Sequence, residues 1–247
     1  MSRSSINKDN IEVISYAIGR NPFKNAVQDT IKILNLANNN LTKDGAKILA
    51  LALEVNTTIE YLDLSQNELK ACGGQLIAKA LHNNTSLKGL NLFKNTLDVD
   101  GTSALRDLLK VNSSLTFLDI GHNRIRNKGL EAIAEGIVQG AESNLKSLGV
   151  RMNFINDDGF AKFFEEIILT GKSKLQNLYV FQNNFTPYKA LQVSKEVQDK
   201  GIEIYVDQFE KLFYQNEDRL KRTLWFGPLQ PDQKDEFSHQ SILDMLK

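Results

Sequence analysis

Three histidines, His82, His122 and His239, and one cysteine, Cys72, are the side chains in this chain best suited to metal ligation or to proton transfer near neutral pH. None of the histidines has a cysteine or a second histidine at metal-ligand spacing. No Gly-x-Ser-x-Gly nucleophile turn and no phosphate-binding P-loop occurs, and the carboxylates are spread as they are on a solvated surface. The sequence therefore predicts a non-enzymatic protein without a metal or other cofactor, with Cys72 as a small packed residue. A second set of side chains suits a different chemistry. Tyr61, Phe93, Phe117, Arg151, Tyr179 and Phe181 are of the types that anchor protein–protein contacts. Their spacing is regular: Tyr61 and Phe117 lie two periods of 28 residues apart, and Arg151 and Phe181 lie 30 apart.

The elements that position them are written in the same period. Residues 34–45 read LNLANNNLTKDG and residues 62–73 read LDLSQNELKACG. Segments of this kind open at Ile31, Ile59, Leu87, Leu115, Leu145 and Leu175, in steps of 28, 28, 28, 30 and 30 residues. Each continues x-x-L-x-L-x-x-N, with the asparagine at Asn39, Asn67, Asn95, Asn123, Asn153 and Asn183. Such a repeat is the mark of a solenoid. Leu62-Asp63-Leu64 and its equivalents alternate apolar and polar, the period of a strand. Ala46, Leu49, Ala50 and Leu53, like Leu130, Ile133, Ala134 and Ile137, fall on one face of a helix. One strand and one helix cannot bury both apolar faces alone, whereas a stack of them can. Helices need more lateral room than strands, so the stack curves with the sheet inside.

This pattern resembles the leucine-rich repeat family, in its ribonuclease-inhibitor-like subtype, over roughly residues 31–206. The resemblance implies a right-handed α/β solenoid, a horseshoe with a concave parallel sheet and convex helices. Each turn asparagine is expected to bond backbone within its own turn and the next. The Asn-Thr-Thr and Asn-Ser-Ser triplets at Asn56 and Asn112 are expected to stop helices, because asparagine tolerates the left-handed conformation. Residues 1–30, with Ile11, Ile14 and Ile18 at helical spacing before Asn21-Pro22, are expected to form an N-terminal capping helix or half repeat. Six repeats and a final strand fill 31–206, and 207–247 form a C-terminal helical cap and tail.

Between the inward leucines, three columns of residues point to the concave face. The first runs Ile33, Tyr61, Gly89, Phe117, Ser147, Asn177; the second Asn35, Asp63, Asn91, Asp119, Gly149, Tyr179; the third Ala37, Ser65, Phe93, Gly121, Arg151, Phe181. Because this face meets water, Tyr61, Phe93, Phe117, Arg151, Tyr179 and Phe181 are expected to be exposed anchors for a protein partner. The charges balance at 30 basic and 30 acidic side chains, which gives no electrostatic reason to expect nucleic acid or an anionic membrane as partner. One cysteine and an N-terminus without an apolar signal stretch suggest a soluble cytoplasmic protein. Family resemblance implies a scaffold, with cytoskeletal or ciliary assemblies among the settings, and no attached nucleotide-binding or signalling domain marks a sensor. Two alternatives remain at this point. One is a GTPase activator resembling the Ran GTPase-activating family, although no catalytic residue matches and the tail is mixed in charge where that family is acidic. The other is RNA association through Arg222–Leu229, which is similar to the first strand of an RNA-recognition motif but lacks the rest of that domain.

Overall fold

The computed structural model describes residues 8–19, 31–140, 143–184, 186 and 203–205. Seven short strands, β1 (Ile33–Asn35), β2 (Tyr61–Asp63), β3 (Gly89–Asn91), β4 (Phe117–Asp119), β5 (Ser147–Gly149), β6 (Asn177–Tyr179) and β7 (Glu203–Tyr205), form one parallel sheet in chain order. Helices α2 (Lys43–Leu53), α3 (Lys70–Ala80), α4 (Asp98–Val111), α5 (Arg126–Gln139) and α6 (Asp157–Thr170) follow the first five strands. Helix α1 (Lys8–Ile18) precedes the sheet. The architecture is an α/β horseshoe of strand–helix units. Expected features of the C-terminal segment, including its helix and Trp225-Phe226, lie outside the described residues, as does the helix stop at Asn21-Pro22.

The register explains the core. Leu34, Leu62, Leu90, Leu118, Leu148, Leu178 and Ile204 pair in a single row across the sheet. Leu62, Leu90, Leu118, Leu148 and Leu178 have no solvent exposure, each stabilising the stack by roughly 1.5–3 kcal/mol relative to an exposed side chain. Behind them lie Leu49 and Leu53 of α2, Ile77 of α3, Leu105 and Leu108 of α4, Ile133 and Ile137 of α5, and Phe163 of α6. Helices α4 and α5 approach closely at Gly136, where an added Cβ would meet the Arg106 backbone carbonyl oxygen at 2.8 Å. Arg106 stays on the outer side, paired with Asp107 at 2.9 Å, while Ala104, Leu105, Leu108 and Leu109 turn inward. At the start of the stack, Ile11 and Ile18 of α1 join the same core, and Asn56 donates from Nδ2 to the Ile18 carbonyl at 2.8 Å.

Two rows of asparagine lace the repeats together. In the first, Asn123 Oδ1 accepts from the backbone N–H groups of Asn95 (2.9 Å) and Leu97 (3.2 Å), while Nδ2 donates to the carbonyls of Leu92 (2.9 Å) and Ile120 (3.0 Å). Asn67, Asn95, Asn153 and Asn183 repeat the arrangement. The partners lie in the residue's own turn and in the preceding repeat, not the next one as the sequence suggested. In the second row, Asn84 and Asn112 donate to carbonyls one repeat back and accept from the N–H groups that open their own strand segment. Asn112 has extended backbone, φ −86° and ψ 124°, and neither it nor Asn56 has positive φ. Their side chains bond carbonyls one unit back, such as those of Ile18 and Leu81, and the N–H groups that open the next strand segment, and no left-handed turn is involved. Cys72 is also not packed: it lies exposed in the first turn of α3.

Candidate protein-binding face

The strands bring the three columns together on the face opposite the helices, and the large side chains lie down on it. Tyr61 and Phe117 are buried, at 3% and 5% exposure, and Phe93, Arg151, Tyr179 and Phe181 are half-buried. The expectation of six exposed anchors is thus corrected: none stands free in solvent. The reason is the residue between neighbours. Gly89 separates Tyr61 on β2 from Phe117 on β4, and a Cβ there would meet Tyr61 Cδ2 at 2.5 Å. The two rings close over this gap to 6.2 Å between centroids, at an interplanar angle of 46°, with Ile33 beside them. Parallel strands lie only about 4.8 Å apart, so two rings on alternate strands can meet over a glycine.

The third column repeats this device. Gly121 lies between Phe93 and Arg151, and a Cβ on it would meet Phe93 Cδ2 at 2.8 Å and Arg151 Cγ at 2.9 Å. The Arg151 guanidinium sits 4.3 Å from the centroid of Phe93 and 5.5 Å from that of Phe181. His122 packs edge-on against Phe93 at 5.8 Å. Arg151 Nη1 also donates to Asp119 Oδ2 at 2.9 Å. Asp119 has no exposure, and its other oxygen accepts the Gly121 N–H at 2.9 Å. Its carboxylate leans across Gly149, where a Cβ would approach Oδ1 to 2.6 Å. A cation held by two rings and a buried carboxylate has little rotamer freedom left to lose on binding a partner.

The second column has a structural duty that the sequence left open. Asn35, Asp63, Asn91 and Asp119 each accept, through Oδ1, the N–H two residues ahead, at 2.8–3.0 Å. This closes the strand end. Burial raises the Asp63 carboxyl above its usual range, opposed by the Ser65 N–H. Burial also pushes the Tyr61 hydroxyl far above the usual tyrosine range, with Asp63 and then Asp119 adding to the effect. Asn91 opposes the rise, but the hydroxyl oxygen has no hydrogen-bond partner among the described residues. Asp119, given little weight on sequence grounds, is the missed member of this face. Its signal was the coincidence of a carboxylate in the second column with Arg151 in the third column of the next repeat. Among the described residues no group of three or more His, Cys, Asp or Glu side chains is placed to hold a metal ion, and no helix is long and apolar enough to cross a membrane.

The leucine-rich repeat family model matches residues 29–50, 55–78 and 111–134, which are three of the strand–helix units described above. This is a leucine-rich repeat protein. No curated protein matches the sequence. Among solved structures, the leucine-rich repeat protein is similar in fold to leiomodin-1 actin-binding site 2, with a TM-score of 0.52 at 18% identity, covering 77% of this chain and 93% of that one. The Caenorhabditis elegans tropomodulin C-terminal domain matches with a TM-score of 0.48 at 14% identity, covering 66% and 96% of the two chains.

Proposed function

We propose that this leucine-rich repeat protein is a non-enzymatic protein-binding scaffold that engages its partner through the concave sheet. The anchor is the Phe93–Arg151–Phe181 stack with Tyr179 beside it, while Tyr61 and Phe117 form a floor that shapes the surface. The observation that carries this reading is the fixed Arg151, held between two half-buried rings and bonded to a buried Asp119. Preorganised arginine and aromatic side chains are the residues most often responsible for interface affinity. Cytoskeletal association belongs to the same proposal. Because the leiomodin-1 fragment of similar fold is an actin-binding site, actin is the first partner to test.

The experiment compares co-sedimentation with actin filaments for wild type and for a Tyr179→Ala/Phe181→Ala variant, with partner capture from cell extract alongside. The expected result is saturable binding that the double substitution weakens at least tenfold. Equal binding of both proteins would overturn the concave-face reading, and failure to sediment at any filament concentration would remove filamentous actin alone. The GTPase-activator alternative is tested on the same preparation: stimulated GTP turnover by a small GTPase would overturn the non-enzymatic reading.

A further inference from the structure

A second surface lies on the rim where each strand segment passes into its helix. One, three and five residues after the turn asparagine, the chain presents side chains to this rim. After Asn123 they are Arg124, Arg126 and Lys128, all exposed. The preceding repeat has Thr96, Asp98 and Asp100 there, the following one Phe154, Asn156 and Asp158. Arg124, Arg126 and Lys128 make no ion pair with any described residue; the six pairs formed involve other side chains. Asp98 and Asp100 on α4 and Asp157 and Asp158 on α6 face this rim from either side, and Asp157 is occupied by the N–H and hydroxyl of Thr186 at 2.7 and 2.8 Å. Helices α4 and α6 thus begin with acids, as the helix dipole favours, whereas the first turns of α5 and α3 have none. At α5 the acid-free first turn coincides with three exposed cations that form no ion pair with a described residue.

Beside them is an open groove of about 900 Å³, lined by Val99, Arg126, Asn127, Lys128, Phe154 and Asn156. Phe154 is 59% exposed. The floor is fixed: Asn127 Nδ2 donates to Asn156 Oδ1 at 2.6 Å, and the Asn156 N–H donates back to Asn127 Oδ1 at 3.0 Å. Arg124, Arg126 and Phe154 all have left-handed backbone, with φ of 60°, 57° and 59°. That conformation suits glycine or asparagine and disfavours bulky residues. The conformation belongs to the repeat turn, since Asn40, Lys70, Thr96 and Asp98 at equivalent places have φ of 54°, 56°, 55° and 52°. Burial does not account for the large side chains, since all three are exposed.

We propose that this groove is a docking site for a short acidic protein segment carrying an apolar side chain. Its carboxylates meet Arg124, Arg126 and Lys128, and its apolar side chain packs on Phe154 and Val99. The flanking aspartates limit the positive field to one repeat, which fits a short acidic cluster and repels the continuous phosphate backbone of a nucleic acid. This surface is separate from the concave sheet, so its test stands apart from the proposal above.

The test is fluorescence anisotropy at low salt with four labelled probes. They are a glutamate-rich peptide with a central Leu-Phe pair, the same peptide with lysine for glutamate, the same with alanine for Leu-Phe, and oligouridine. The acidic apolar peptide is expected to bind saturably and each other probe at least tenfold more weakly. Arg124→Asn/Arg126→Asn and, separately, Phe154→Asn are expected to weaken it at least tenfold while the thermal midpoint holds or rises. Lys128→Glu, which places an acid in the first turn of α5 where the dipole favours it, gives a variant whose folding is not at risk; it is expected to weaken binding by at least the same factor. Absence of saturable binding, equal binding by these variants, or oligouridine binding as tight as the peptide would overturn the proposal.

Discussion

The concave wall and the α5 rim of this solenoid treat large side chains in opposite ways. On the wall, Tyr61, Phe117, Phe93 and Arg151 fold over glycines onto neighbours and lose most of their exposure. On the rim, Arg124, Arg126 and Phe154 stand out from a left-handed backbone, and the two arginines form no ion pair with a described residue. Spacing accounts for the difference. Strands stack about 4.8 Å apart, so side chains from successive or alternate repeats meet. Helices pack about 8–10 Å apart, so at the helix side of a repeat a side chain has fewer neighbours in reach. A large residue on the wall therefore serves the fold first, and the same residue on the rim is left for a partner.

Asn123 joins both regions, since it ends the β4 turn and precedes Arg124. Asn123→Leu removes the acceptor of two buried N–H groups at about 1–3 kcal/mol each. A loss of about 4 kcal/mol by urea denaturation is expected, and a loss under about 1 kcal/mol would break the view that one ladder supports wall and rim alike. The next contrast pairs two arginines. Arg151→Leu leaves the carboxylate of fully buried Asp119 without its cation and should cost about 3 kcal/mol. Arg124→Asn should instead raise stability by up to about 1 kcal/mol, through relief of the left-handed strain. Equal losses for the two would erase the distinction.

Tyr61→Phe sharpens the wall side. It deletes a buried hydroxyl that has no hydrogen-bond partner, so calorimetry should show a gain of about 1 kcal/mol or no change; a clear loss would mean that the oxygen is satisfied in solution. The smallest effect concerns the outer border of the wall, where Glu60 bridges Lys88 at 2.6 Å and Lys32 at 2.9 Å. The Lys88 hydrogen bond, then that of Lys32, holds this carboxyl below its ordinary value of 4.5. A lowered pKa contributes stability above the ordinary value that is lost as the pH falls through the folded one. Glu60→Gln should therefore cost less than about 1 kcal/mol at pH 7, and the two proteins should converge in acid. A difference that persists at low pH would remove the ion pairs as its cause.

Much of the architecture was legible because it is periodic. The leucine row, the first asparagine row and the strand-to-helix alternation each follow from residues one repeat apart. The three columns of the wall were legible too, since alternation along a strand fixes which side chains share a face. Their exposure was not. Whether Tyr61 is covered depends on Gly89 and Phe117, and whether Arg151 is fixed depends on Phe93, Asp119 and Phe181. Alternation along one strand says nothing about pairs across strands. Asn112 directly follows α4 and Asn56 lies three residues beyond α2, and neither has the expected positive φ; an asparagine that bonds through its side chain and one that adopts positive φ look the same in sequence. The rim was open to inspection as well: aligning the residues after each turn asparagine isolates Arg124, Arg126 and Lys128 in one repeat. Only the stacked structure shows that no described acid pairs with them.

By itself the sequence determined the stack, because units of 28 or 30 residues, each with an apolar face it cannot cover, have to bury that face against copies of themselves. The tertiary structure decided which large polar and aromatic side chains remain available. That outcome rests on distances between residues that are near neighbours only once the repeats are stacked, and a glycine opposite a ring changes it from exposed to buried.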